Sequence, residues 1–298
     1  MPFDGYAGAR WLADAAVLTL VGLAVVPALL SRSLPDSPLA PTIRRRAAGL
    51  GLLAAVVLLL ATFLRLWYQT RSFLEPGEPL TGEMLGLVLG SGPWGTGWKL
   101  QAAIALALVL AWALPGLRRV TGLHRLLVLG LAVVTPLAGH AMSASKPALA
   151  LGLHALHLLG TGAWLGTLLA LAWAAFPVVL AEPPESREAG MGALLRTFSP
   201  VALAGAGLAA GTGGILAWGL VGSPGALVAS GYGRWLLVKL ALVAIVVGIG
   251  YHNWRTLTPR LGAGAAEPLA RSAKVELGVG ALALLATAIL VALEAPGL

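Results

Sequence analysis

Eight runs of apolar residues, each long enough to span a bilayer, leave this chain few ways to fold. They lie at approximately 10–30, 47–69, 97–115, 123–141, 147–180, 196–220, 234–257 and 271–293. A helix crosses the hydrocarbon core in about 20 consecutive apolar residues, and lipid offers no water to an unpaired backbone. The pattern predicts an all-α polytopic membrane protein with eight transmembrane helices. Composition agrees, with 58% hydrophobic and 11% charged residues and a mean hydropathy of +0.87. The fifth run exceeds what a bilayer requires, so it is expected to tilt or to extend past the surface. Asp4 and Arg10 precede the first run and a basic cluster follows it. That is the wrong charge order for a cleavable signal, so the run is expected to remain as helix one.

The chain has no cysteine, which excludes disulfides, thiolate metal sites, iron–sulfur clusters and cysteine nucleophiles. A net charge of +8 raises the question of nucleic acid, but the cations fall in short loops and form no single patch. Arg32 and Arg44 to Arg46 lie between runs one and two, Arg118, Arg119 and Arg125 between three and four. Arg187 and Arg196 lie between five and six, and Arg255, Arg260, Arg271 and Lys274 flank the seven–eight connection. The alternate loops carry few cations, so the positive-inside rule places both termini outside the cytoplasm. The expected partner is the lipid bilayer, with no nucleic acid.

An internal repeat suggests two four-helix halves, 1–140 and 141–298. At an offset of 140, RWLADAAVLTLVG lies on ALGLHALHLLGTG and pairs Asp14 with His154, while Lys99 falls on Lys239. Four helices per half would make the repeats parallel.

Chemistry concentrates between Gly139 and Leu169. His140, Met142, His154 and His157 fall within eighteen positions, in a chain with five histidines. Ser143 to Pro147 breaks the apolar sequence, and proline suits the first turn of a new helix. The expected form is a helical hairpin on the extracytoplasmic side, with His154 and His157 sharing one face of the second helix. Imidazoles with a thioether suit soft or borderline metals such as copper: Cu(I) favours the Met and His pair, Cu(II) more imidazole.

Other ionisable groups inside spans are costly and call for a partner or a role. In the outer half these are Asp14, Arg65, Lys99 with Gln101, and Lys239. Asp14 reads as a counter-ion. Arg65, Lys99 and Lys239 are expected near helix ends, either snorkelling and pairing with Asp14 or lining a substrate path. The inner half offers His252, Asn253 and Arg255 in GYHNWR, and Arg271 and Glu276 in RSAKVE. Glu276 is expected one turn inside the boundary with Arg255 or Arg271 as partner, and Asn253 on backbone. Two readings stand for this group: a salt-bridged helix hairpin, or an inner metal-release station of His252 and Glu276. His124 reads as interfacial, and Trp11, Trp67, Trp94, Trp98, Trp235 and Trp254 as belt anchors. The sequence has no HExxH, serine triad or phosphate loop, and its GxGxxG-like fragments lie inside apolar helices. An enzyme is therefore not expected.

The second half, roughly Gly139 to Pro296, resembles the copper resistance protein D (CopD) family. The resemblance rests on GHA at His140, ALHLLGTGAWLG at His157 and Trp164, RTFSPVAL from Arg196, SGYGRWLLVKLAL around Lys239, the Asn253-Trp-Arg255 turn and Arg271 to Glu276. It implies an eight-helix inner-membrane protein that carries copper from periplasm towards cytoplasm, with His140 and His157 at recurrent histidine positions. No soluble copper-binding domain is visible, which implies a separate periplasmic donor protein. The competing reading is a membrane b-type haem protein, in which His140 with His154 or His157 ligates iron and the protein transfers electrons or reduces metal.

Overall fold

The computed structural model describes residues 5–90, 92–138 and 146–293. Among them, eight helices are long and apolar enough to cross a membrane. They are α1 (Gly5–Ser33), α2 (Ala40–Arg71), α3 (Gly92–Ala113), α4 (Thr121–Ala138), α5 (Pro147–Leu180), α6 (Pro184–Val221), α7 (Gly231–Arg260) and α8 (Ala266–Val291). The described residues form no strand. Leucine- and alanine-rich runs become helices because each closes its own backbone hydrogen bonds in lipid. Proline in the first turn starts α2, α5 and α6, where an N–H would have no helical partner. Ser230 caps α7 by accepting from Gly233 N at 2.9 Å.

α6 begins well before its apolar run. Its first turns, PESREAGMGALL, are amphipathic and are held by the connection that follows α7. Glu188 accepts from Gly262 N at 2.9 Å and from Ala266 N at 3.0 Å, satisfying donors at the start of α8. Arg187 pairs with Glu267 at 2.6 Å. A further short helix, Gly82–Gly90, lies between α2 and α3; nine residues are too few for a span.

α1 is the axis of the bundle, in contact with α2, α4, α5, α6 and α8. Lipid is as apolar as leucine, so helices associate here through close packing rather than expulsion of water. Glycines set the approach. A Cβ on Gly22 would collide with the Gly166 backbone, and one on Gly166 with the Leu18 carbonyl. Gly160 of α5 and Gly205 of α6 face each other in the same way, 2.8 and 2.7 Å from the opposite carbonyl oxygens once a Cβ is added. Two apolar layers fill the remainder. Ala13, Val17 and Leu20 pack on Ala55, Leu58, Leu108 and Leu131 towards α2, α3 and α4. Leu23, Val26 and Leu30 pack on Ile43, Leu171, Phe176, Leu194 and Leu269 towards α2, α5, α6 and α8. α7 packs chiefly on α8 and is the most peripheral span.

The indole of Trp11 donates to Ala281 O at 3.0 Å, setting the first turns of α1 beside the second half of α8. Trp98 is buried and donates to Thr62 O at 2.7 Å. These two tryptophans are interhelix clamps rather than belt anchors, whereas Trp67 and Trp254 are exposed as expected. His124, in the first turn of α4, is buried: its ring lies 4.2 Å from that of Trp112, and Nδ1 meets Val120 O at 3.0 Å.

Candidate metal site and the buried polar groups

Pro147 opens α5, and His154 and His157 follow at about 10 and 15 Å along its axis. His154 Nδ1 donates to Ala150 O at 2.9 Å, one turn back on its own helix. His157 Nδ1 donates across to Ala209 O of α6 at 2.8 Å, with Thr212 Oγ1 at 3.5 Å. A carbonyl only accepts, so both rings carry the proton on Nδ1 and the lone pair on Nε2. A metal-binding imidazole is oriented in this manner by a bond to its other nitrogen. The small residues of α6 make the approach feasible, since a Cβ at Gly213 would lie 2.9 Å from His157 Cε1. His154 and Lys239 are both in electrostatic reach of His157.

His140 and Met142 lie outside the described residues. α4 closes with a 3-10 turn, Thr135–Ala138, whose last carbonyl accepts from Arg10 at 3.5 Å. Among the described residues no three His, Asp or Glu side chains gather in a way that would hold a metal ion. His154 and His157 are thus the two described members of the expected set.

The cations of the outer half are arranged differently from expectation. Asp14 pairs with Arg10 at 3.0 Å, an i,i+4 pair within α1, and Lys239 lies within electrostatic reach of it. Arg65 does not snorkel. It is 1% exposed, donates to Gln101 Oε1 at 3.3 Å and to Tyr6 Oη at 3.4 Å, and sits 5.8 Å from the Tyr6 ring centre. Lys99 is exposed. Arg10 and Tyr6 are the residues that sequence reasoning missed. The four-residue spacing from Arg10 to Asp14 was a usable signal; Tyr6 carried none.

Glu276 is corrected in its partners. It lies ten residues into α8, about 15 Å from the start of the helix. Its partners are neutral: Asn253 Nδ2 donates to Oε2 at 3.1 Å, and the Trp164 indole donates to the same carboxyl group. Arg255, Arg271 and His252 are exposed instead. Neither the salt-bridged hairpin nor a pairing of His252 with Glu276 is formed among the described residues, where the ion pairs are Arg10–Asp14 and Arg187–Glu267. Trp164 and Asn253 both stand in π-helical turns, Gly162–Gly166 and Asn253–Leu257. Such turns widen a helix and often mark functional positions.

Two family models match the chain. The model of copper resistance protein D covers residues 192–290, and that of the copper resistance protein D-like N-terminal domain covers residues 1–147. No curated protein and no solved structure matches.

Proposed function

The chain belongs to the copper resistance protein D family, and from that premise we propose that it moves copper ions across the bacterial inner membrane, from periplasm to cytoplasm. It acts as a transporter, not an enzyme. Its termini face the periplasm, where a separate donor protein delivers the metal. His140, Met142, His154 and His157 form the capture site. The observation that carries this reading is the hydrogen bond from His157 Nδ1 to Ala209 O, which leaves the Nε2 lone pair for a metal. With no cysteine in the chain, imidazole and thioether are the soft donors available, and they suit copper in either oxidation state.

The test is an optical spectrum with elemental analysis on detergent-purified protein, for the wild type and the His140→Ala/His157→Ala double variant. Copper bound without a Soret band, and lost in the double variant, is the expected result. A Soret band lost in the same variant would overturn it, because those histidines would then hold haem and the protein would carry electrons.

A further inference from the structure

Glu276 is an acidic side chain ten residues into α8, 4% exposed, with no ion-pair partner among the described residues. A buried charge without a partner is expensive, and such a group in a membrane needs an explanation. Its immediate surroundings are two neutral donors, Asn253 Nδ2 and the Trp164 indole, and the bare backbone of α7 at Gly250. A Cβ at Gly250 would lie 3.3 Å from Glu276 Oε1, so the glycine makes the room that the carboxyl occupies. The helices packed on α8 carry other charged or titratable groups. α1 brings the Arg10–Asp14 pair, α5 His157, α6 the exposed Arg196, and α7 Lys239 with the exposed His252 and Arg255. α8 itself has the exposed Arg271 and Lys274. Among the described residues none comes within ion-pair distance of Glu276.

One atom in this site is unmatched. Asn253 Oδ1 is buried without a hydrogen-bond partner among the described residues. Its amide nitrogen already serves Glu276, so the site has an acceptor in excess and lacks a donor. A proton on Glu276 supplies that donor: the carboxylate takes up one H⁺, becomes a neutral acid, and presents an O–H beside the waiting oxygen. Release of the proton restores the carboxylate. The same α5 that carries His157 carries Trp164, about 10 Å further along the axis and across the π-turn. Any shift of α5 on metal capture would therefore change a hydrogen bond to Glu276.

We propose that Glu276, held by Asn253 and Trp164, is a proton-binding site whose protonation and deprotonation are coupled to copper movement. This rests on the transport reading above. Protein reconstituted in liposomes containing a pH-sensitive dye is given copper outside. The wild type is expected to accumulate copper with a change in lumenal pH. Glu276→Gln, which mimics the neutral acid, is expected to bind copper as the wild type does and to lose the copper-linked proton signal down to the level of empty liposomes. Copper accumulation by the wild type without proton movement overturns the proposal and leaves transport standing. Absence of copper accumulation by the wild type overturns the transport reading and the proposal with it.

Infrared difference spectra between about pH 5 and pH 9 test the site without transport. The wild type should show a protonated-carboxyl C=O band that is missing in Glu276→Gln and displaced in Asn253→Ala. A merely structural role for Asn253 would not move that band. A spectrum without the band, or one unchanged by Glu276→Gln, overturns the assignment.

Discussion

At the scale of single residues, the proposed capture site depends on the direction of one imidazole. His157 is aimed by Ala209 O, and Gly213 leaves it only the space it fills. Gly213→Ala brings a methyl 2.9 Å from Cε1, closer than carbon atoms tolerate, so the ring must swing away from its carbonyl. Copper affinity should fall on the order of tenfold, about 1.4 kcal/mol, as read by titration against a competing chelator. Gly214→Ala is the control: that position opens onto space, and affinity should be unchanged while helix propensity improves by up to about 1 kcal/mol. Equal loss in both variants would mean that His157 is not positioned by this wall. The place of His154 and His157 on one helix was legible in the sequence, because Pro147 and the apolar run after it mark that helix. Their orientation was not, because the oxygen that sets it belongs to an alanine fifty-two residues away. Arg65 shows the same limit: counted from its helix end it reads as a snorkelling cation, and only Tyr6 and Gln101 from two other helices show why it stays inside.

At the scale of helices, hydropathy located every span because a bilayer demands long apolar runs. It missed what lies outside that demand. The first turns of α6 owe their place to Glu188 and Arg187 rather than to lipid, so an apolar window starts α6 too late. π-turns leave no clear sequence trace, since one extra residue per turn barely changes the spacing of apolar side chains. They nevertheless place Trp164 and Asn253 at Glu276. The crossing of α1 and α5 is set by Gly22 against Gly166, where backbone meets backbone without room for a methyl. Gly22→Ala should force the two helices apart at a cost of about 1–3 kcal/mol, lowering Tm by about 5 °C in a detergent melt. Gly49→Ala on α2 meets nothing and should leave Tm unchanged or slightly raised. If the two variants melt alike, the close approach of α1 to α5 is not what holds the bundle.

At the scale of the whole molecule, the direction in which the bundle sits in a membrane decides what the histidines can do. An even number of spans, eight, puts the start of α1 and the end of α8 on one side, and the bond from Trp11 to Ala281 O sets the first turns of α1 beside the second half of α8. With the spans alternating in direction, the arginines of the one–two, three–four, five–six and seven–eight connections fall on the opposite side. Translocation of cationic loops is disfavoured, so the proposed orientation makes that side the cytoplasmic one and turns the start of α5, with His154 and His157, towards the periplasm. The absence of cysteine makes a clean assay possible, because any single introduced thiol is the only one in the chain. Glu75→Cys, exposed after α2, should react with a membrane-impermeant maleimide in intact cells. Ser186→Cys, exposed at the start of α6, should react only after the membrane is opened. The reverse labelling would turn the bundle over, put the histidines on the cytoplasmic side, and make the same site one that receives copper for export.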